Sequence, residues 1–176
     1  MAVKVSAYIA TSLDGFIARK NGDIDWLPAP GAEDYGYKEF MDTVDVLVMG
    51  RNTFDKVQAF HAWPYGSKPV IVLSHGPVNI TERIARYVKS LSSTPHELAR
   101  ILSEEGVRHV YVDGGKTIQG FLDEGLIQEL IITRIPILIG SGIPLFGPLK
   151  RDIRLRHIDT RQFPDGLVQS RYEVVG

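Results

Sequence analysis

Cysteine is absent from this sequence, which excludes disulfide bonds, thiolate nucleophiles and cysteine-ligated zinc. A chain without cysteine fits a reducing compartment, so we expect a cytoplasmic protein. The five histidines are scattered, and none has the short spacing of metal ligands. We therefore predict no metal site and interpret His61, His96 and His109 as surface or structural residues.

An excess of one charge and long apolar runs are also missing. The chain has 20 Lys and Arg residues against 21 Asp and Glu residues, and its net charge is −1 at pH 7. Binding to nucleic acid or to an anionic membrane favours a basic stripe, which this balance does not provide. No apolar run approaches the roughly 20 residues of a membrane span, and the chain begins in strand-like sequence without a leader pattern. We expect a soluble protein with neither nucleic-acid nor membrane partners.

What is present is an alternation of buried strands and amphipathic helices, in one expected domain over residues 1–176. The predicted strands cover residues 3–10, 44–49, 69–73, 107–112 and 126–135, and the predicted helices cover 33–44, 94–106 and 116–124. This alternation is typical of an α/β fold with a mostly parallel central sheet flanked by helices. Residues 153–174 alternate around Pro164-Asp165-Gly166 and predict a C-terminal antiparallel hairpin.

Three predicted strands end in small or polar residues, namely Gly50-Arg51-Asn52-Thr53, Ser74-His75-Gly76 and Asp113-Gly114-Gly115-Lys116-Thr117. The carboxyl ends of parallel strands share one edge of a sheet, where open α/β sheets bind ligands. A glycine pair before a helix suits a pyrophosphate, and the planar guanidinium of Arg51 suits a further phosphate. This pattern favours NADPH over NADH, although the glycines also fit a steric turn and Arg51 an ordinary surface arginine.

The same residues resemble the dihydrofolate reductase fold, in which a Gly-Arg-x-Thr junction, a Leu73-Ser74 strand end and a Gly-Gly turn occur in this order. Thr11-Ser12-Leu13-Asp14-Gly15, the strand running into Gly114-Gly115, and the runs 125–130 and 136–140 resemble one branch more closely. That branch is the reductase domain of the bifunctional riboflavin-biosynthesis deaminase-reductase, with its stand-alone relatives. The resemblance covers nearly the whole chain.

The resemblance implies an NADPH-dependent reductase of a pyrimidine- or pteridine-like heterocycle, similar to 5-amino-6-(5-phosphoribosylamino)uracil reductase. It implies a cis peptide bond in the glycine pair, and a mobile lid over the nicotinamide formed by the long loop Thr11–Gly31. The cofactor-binding residues implied in this way are Ala10, Ile17, Gly50, Arg51, Asn52, Thr53, Leu73, Ser74, His75, Asp113, Gly114, Gly115, Lys116, Thr117 and Ile118.

Reduction of a C=N or C=O bond needs a proton donor besides the hydride, and the candidates are Asp14, Glu33, Asp34 and Glu39. We assign catalysis to Asp14, whose pKa a closed lid would raise, and to Asp34 near the start of the first helix. Asp14 also fits a turn aspartate, and Asp34 fits a residue that complements the helix dipole.

We assign the substrate side to Trp26, Tyr37 and Phe54, although Trp26 equally fits a loop anchor. The insertion Pro28-Ala29-Pro30-Gly31 departs from dihydrofolate reductase proper, so dihydrofolate ranks below a ribityl- or ribosyl-aminopyrimidine. Because cysteine is missing, we expect the zinc deaminase half to be absent. Dihydrofolate reductase activity and a non-catalytic nucleotide-binding module remain as alternatives. The apolar surface of residues 126–135 and 153–174 predicts a homodimer, as the relatives imply.

Overall fold

The computed structural model of the protein describes residues 2–29, 31 and 33–176. Its strands are β1 (Lys4–Ser12), β2 (Phe16–Ala18), β3 (Val46–Gly50), β4 (Val70–Leu73), β5 (Val88–Leu91), β6 (His109–Asp113), β7 (Glu129–Ile135), β8 (Ile143–Pro144), β9 (Arg154–Gln162) and β10 (Val168–Val175). Its α-helices are α1 (Tyr37–Thr43), α2 (Arg51–Gln58), α3 (Pro95–Glu104) and α4 (Gly115–Asp123), and Glu82–Ile84 forms a 3-10 helix. Within the described residues, every helix is too short or too polar to cross a membrane.

Eight strands form one sheet in the order β5-β4-β3-β6-β1-β7-β10-β9. The strands from β5 to β7 in this order are parallel, whereas β10 is antiparallel to both β7 and β9. β2 and β8 pair separately as a small antiparallel ribbon. This topology confirms the predicted α/β fold with its C-terminal hairpin. Because β3, β4 and β6 are parallel, their carboxyl ends lie at one edge of the sheet.

Apolar side chains cover both faces of the sheet. On one face, α3 and α4 bury Leu98 and Phe121, which are 0% and 1% exposed, in a cluster with strand residues such as Val112. On the other face, α1 and α2 bury Phe40 and Phe54 in a second cluster. Burying one such side chain contributes about 1.5–3 kcal/mol, so all four helices are anchored to the sheet.

The first helix is shorter than predicted. The sequence pattern predicts a helix from residue 33, but α1 begins at Tyr37. The chain cannot be helical earlier because Tyr35 and Gly36 have φ angles of 55° and 81°, outside the right-handed helical region. Tyr35 is the one non-glycine residue with positive φ among the described residues.

Two further boundaries differ from the prediction. β7 begins at Glu129 instead of residue 126, because α4 ends in a glycine C-cap. Gly125 has a φ of 69°, its N–H donates to the Leu122 carbonyl, and the Leu126 N–H donates to the Phe121 carbonyl. The predicted loop Thr11–Gly31 contains the last residues of β1 and all of β2, and Pro30 within it lies outside the described residues.

Candidate functional site

The β3–α2 and β6–α4 junctions interlock at the carboxyl edge of the sheet. A β-carbon at Gly114 would lie 2.5 Å from the Thr53 Oγ1 atom, and a β-carbon at Gly50 would lie 3.1 Å from the Thr117 Oγ1 atom. Each glycine therefore faces a threonine of the other junction. The structure brings together four residues that the sequence predicted for one cofactor site, and it leaves no room for a side chain at Gly114 and little room at Gly50.

The glycine pair itself differs from the expectation in one respect. Every peptide bond between described residues is trans, so the expected cis bond between Gly114 and Gly115 is wrong. Gly114 instead has a φ of 95° and a ψ of 139°, and this conformation carries the chain from β6 into α4. Gly114 can adopt it because glycine has no β-carbon to clash with the backbone.

The loop after β1 and the segment containing β8 lie against the glycine pair. A β-carbon at Gly115 would lie 3.1 Å from both the Ile17 Cδ1 atom and the Pro144 carbonyl oxygen, and 3.7 Å from the Ile143 Cγ2 atom. Ile17 therefore contacts the glycine pair, and its predicted place near the nicotinamide stays a prediction. Sequence reasoning missed Ile143 and Pro144, because their contact with Gly115 depends on the pairing of β8 with β2. The only sequence signal near this segment was the family resemblance of residues 136–140.

The remaining cofactor candidates lie along the same edge. Leu73 pairs with Gly50 across β4 and β3, so Ser74 and His75 follow the neighbouring strand. His75 lines a groove of about 340 Å³ that also includes Ser92 and the first turn of α3. Lys116, Asn52 and Ala10 complete the set: the first two are exposed, and Ala10 packs with the apolar cluster around Trp26. Ile118 is 0% exposed and anchors α4 in the core.

Arg51 is free to move toward a ligand. Its side chain is 53% exposed, and its Nε atom is 3.7 Å from the Asp55 Oδ2 atom one helical turn away. An exposed pair at that distance stabilises a protein by less than about 1 kcal/mol. The guanidinium of Arg51 can therefore leave Asp55 at small cost and pair with a phosphate.

Asp113 has the most perturbed carboxyl group at this edge. Its surroundings are buried, and this raises its pKa to about 6, although the Gly114 N–H, which donates to the Asp113 Oδ1 atom at 2.8 Å, acts in the opposite direction. Tyr37, Tyr65 and Tyr111 all lie within electrostatic range of this carboxyl group. Asp113 thus holds a proton to a far higher pH than an ordinary aspartate. Sequence reasoning assigned Asp113 to the cofactor and missed this property.

The two carboxylates predicted to be catalytic are engaged in local structure. The Asp14 carboxylate accepts hydrogen bonds from the backbone N–H groups of Gly140, at 2.8 Å, and Ile139, at 3.3 Å. Hydrogen bonding, first to Ser12 and then to these N–H groups, lowers the pKa of Asp14, so the expectation of a raised value is wrong. The Asp34 carboxylate accepts from the Lys38 N–H at 3.2 Å, as expected for a residue that complements a helix start. Glu33 and Glu39 are exposed, and no contact of either with the site is seen among the described residues.

The predicted substrate residues occupy different depths. Trp26 is 9% exposed and packs with Ile135 and Leu167, and its indole N–H has no hydrogen-bond partner among the described residues. Tyr37 is partly buried, with its ring centroid 5.4 Å from that of Tyr8. Phe54 is 0% exposed and packs against Trp63, so it belongs to the core beneath α2 and has no exposed surface for a ligand.

The sheet and its helices form a dihydrofolate reductase-like fold. The structure of dihydrofolate reductase from Enterococcus faecalis, complexed with NADP(H) and RAB-propyl, matches with a TM-score of 0.71 at 18% identity and covers 100% of both chains. The chain belongs to the RibD C-terminal domain family, whose sequence pattern matches residues 3–169.

Two relatives resemble the chain over almost its entire length. The uncharacterized protein YwjB from Bacillus subtilis is 36% identical over 165 residues, which is 93% of this chain and 94% of YwjB. The crystal structure of a putative riboflavin biosynthesis protein from Shewanella sp. PV-4 is 42% identical, covers 100% of both chains and has a TM-score of 0.91. These matches confirm the family resemblance seen in the sequence.

The interlock at Gly114 predicts a large effect of one methyl group. We expect Gly114→Ala to lower the free energy of unfolding by about 2 kcal/mol or more, because alanine disfavours a φ of 95° and its β-carbon would clash with Thr53. Gly76→Ala is the matched control, since nothing lies within 4 Å of its β-carbon position, and it should change stability by less than about 0.5 kcal/mol. Urea denaturation measures both, and equal effects of the two variants would contradict the interlock.

Proposed function

We propose that this protein is an NADPH-dependent reductase of a pyrimidine- or pteridine-like heterocycle, acting as one domain in the cytoplasm. The observation that carries the proposal is the interlock of two glycine junctions beside a carboxyl group whose pKa is raised. Membership of the RibD C-terminal domain family and similarity to the putative riboflavin biosynthesis protein from Shewanella support a reductase of the riboflavin type.

The residues at the sheet edge fit a nicotinamide dinucleotide. The first turn of α4, which begins at Gly115, would offer backbone N–H groups to a pyrophosphate, and the helix dipole favours an anion there. Arg51, with Asn52 and Thr53, would hold the further phosphate of NADPH, and Ser74 and His75 would lie beside the adenosine. The NADP(H) complex of the Enterococcus faecalis enzyme supports a cofactor of this kind. When bound, the cofactor would supply a hydride.

Asp113 is the residue that we propose as proton donor. With a pKa of about 6, roughly a tenth of these carboxyl groups are protonated at pH 7, far more than for an ordinary aspartate, which suits a general acid that must also be reprotonated from water. Asp113 would give its proton to the ring nitrogen or oxygen of the substrate while the substrate carbon receives the hydride. Asp14 has the opposite property, since its pKa is lowered, and we propose that it holds the β1–β2 loop against the Ile139–Gly140 backbone.

The substrate would lie between Tyr37 and Trp26, beside Asp113. A flat heterocycle suits aromatic walls of this kind. We prefer an aminopyrimidine to dihydrofolate, because the Asp34 carboxylate already accepts from the Lys38 N–H and is less available to a pterin. Ile17 and Trp26, on the loop after β1, would exclude water from the reduced ring.

We also propose that the protein is a homodimer assembled through its C-terminal hairpin. β9 is an edge strand of nine residues, all exposed, with Leu155 at 42% and Ile158 at 45% exposure. A long exposed edge strand can pair with a second copy, and the apolar Leu155 and Ile158 would add contact area among the polar residues of this strand. Sedimentation equilibrium should give the dimer mass for the wild type and a shift toward monomer for Ile158→Lys. A monomer mass for the wild type would remove this part of the proposal.

Cofactor choice depends on Arg51. We expect Arg51→Ala to weaken NADPH binding about tenfold or more and to leave NADH binding within about twofold, because only NADPH carries the additional phosphate. Isothermal titration with both cofactors measures this difference. Arg100→Ala is the control, since Arg100 pairs with Glu104 on the exposed side of α3. Absence of NADPH binding to the wild type would overturn the proposed function, and equal loss for both cofactors would overturn the role of Arg51.

The proton donor is identified by the pH dependence of turnover. If Asp113 must be protonated, wild-type kcat should fall as the pH rises above about 6, and Asp113→Asn should lower kcat about a hundredfold or more with little remaining pH dependence. Asp14→Asn should retain the wild-type pH profile. The assay follows NADPH oxidation with 5-amino-6-(5-phosphoribosylamino)uracil and, separately, with dihydrofolate. A wild-type profile in Asp113→Asn would reject this donor, and turnover of dihydrofolate alone would reverse the substrate preference.

A further inference from the structure

The tip of the loop after β1, residues 19–25, forms a compact unit of its own. The Arg19 N–H donates to the Asp23 carbonyl and the Gly22 N–H donates to the Arg19 carbonyl, both at 2.8 Å. The Arg19 guanidinium also donates to both carboxylate oxygens of Asp25, at 2.6 and 3.1 Å. These contacts make the loop tip a preformed turn that moves as one piece.

The loop tip docks on α2 through one lysine. The Lys56 Nζ atom lies 3.2 Å from the Asp23 Oδ1 atom. The methylene stem of the same lysine packs on the backbone of Gly22, since a β-carbon there would lie 2.8 Å from the Lys56 Cε atom. Gly22 also has a φ of 87°, so both the conformation and the close approach depend on glycine at this position.

α2 links this contact to the proposed cofactor site. Its first turn carries Arg51 and Thr53, and Thr53 faces Gly114 in the interlocked junctions. Phe54 and Val57, which are 0% and 7% exposed, fix the same helix in the core. Lys56 therefore attaches the loop tip to a rigid helix that also holds the phosphate-binding residues.

The attachments of the loop differ in strength. Ile17 packs beside Gly115, and Trp26 packs in a buried apolar cluster. The side chains of Lys56 and Asp23, in contrast, are 51% and 52% exposed. Exposed ion pairs are weak and are screened by salt, so the contact between Lys56 and Asp23 opens before the two apolar ones.

We propose that Lys56 is a positioning residue that, by holding Asp23, keeps the loop closed beside the bound cofactor and sets the rate at which the cofactor leaves. This inference rests on the proposed function, because it requires a dinucleotide at the interlocked junctions. Ile17 is the connection, since it precedes the loop tip in the chain and packs on Gly115. Release of the tip leaves the segment carrying Ile17 held only by the short β2–β8 ribbon and by its contact with Gly115.

Stopped-flow measurement of NADPH release tests the inference with two variants that break the same contact. We expect Lys56→Met and Asp23→Asn each to speed NADPH release about three- to fivefold. Lys89→Met is the control, because Lys89 is an exposed lysine on β5, away from the loop, and its release rate should match the wild type. Exchanging the charges in Lys56→Asp with Asp23→Lys should restore a rate within about twofold of the wild type.

The two variants also distinguish two explanations for a change in the release rate. One is a clamp, in which the contact between Lys56 and Asp23 holds the loop closed, and the other is simple electrostatic attraction of the anionic cofactor. Lys56→Met removes a positive charge and Asp23→Asn removes a negative charge, so attraction alone predicts opposite effects on release. A clamp predicts faster release in both. Hydrogen exchange of the residue 19–25 amides without cofactor should be faster in both variants than in Lys89→Met.

Three results would overturn the inference. Wild-type release rates in both variants, or opposite shifts in the two, would reject the clamp while NADPH binding by the wild type still supports the proposed function. Failure of the wild type to bind NADPH would reject both together, so the two failures are distinguishable.

Discussion

The arrangement of the site depends on the close approach of two strand-to-helix junctions. Gly50 and Gly114 stand at the ends of adjacent parallel strands, and each accepts the threonine of the opposite junction in the space where a side chain would be. A β-carbon at Gly114 would clash with Thr53 and require the junctions to shift, and one at Gly50 would press on Thr117. The first turns of α2 and α4, and the loop that rests on Gly115 through Ile17, take their positions from this contact.

Two carboxyl groups at this edge of the sheet differ in their pKa values. Asp14 and Asp113 both lie where strands end at this edge, yet their environments shift their pKa values in opposite directions. Asp14 is exposed and surrounded by hydrogen-bond donors, which favour its charged form. Asp113 has one N–H donor and is desolvated, which favours its neutral form. Solvation therefore separates the two carboxyl groups, although the residue type is the same.

Much of the fold was readable because it depends on local patterns. Apolar runs ending in glycine indicated β3 and β6, and the capping box at Thr94 indicated the start of α3, where both reciprocal hydrogen bonds are present. The start of α1 was missed because Tyr35 adopts a positive φ that nothing in its own sequence requires. Its carbonyl accepts hydrogen bonds from Tyr8 and from Gln169, which are 27 and 134 residues away.

The site was predicted less completely than the fold for the same reason. The glycines and Arg51 are recognisable from residue type and spacing, whereas the pKa of Asp113 depends on its desolvation in the folded chain. The contact of Ile143 and Pro144 with Gly115 depends on their pairing with β2, which no local pattern encodes. Desolvation and long-range packing are properties of the folded chain.

Binding of the cofactor at the interlocked junctions is tested most directly by backbone amide NMR during titration with NADPH. We expect the largest shift changes at Gly50, Thr53, Gly114, Gly115 and Thr117, with smaller changes at Ile17. Saturable changes confined to the opposite edge of the sheet, around Ser6 and His109, with no change at either glycine junction, would contradict this placement of the cofactor.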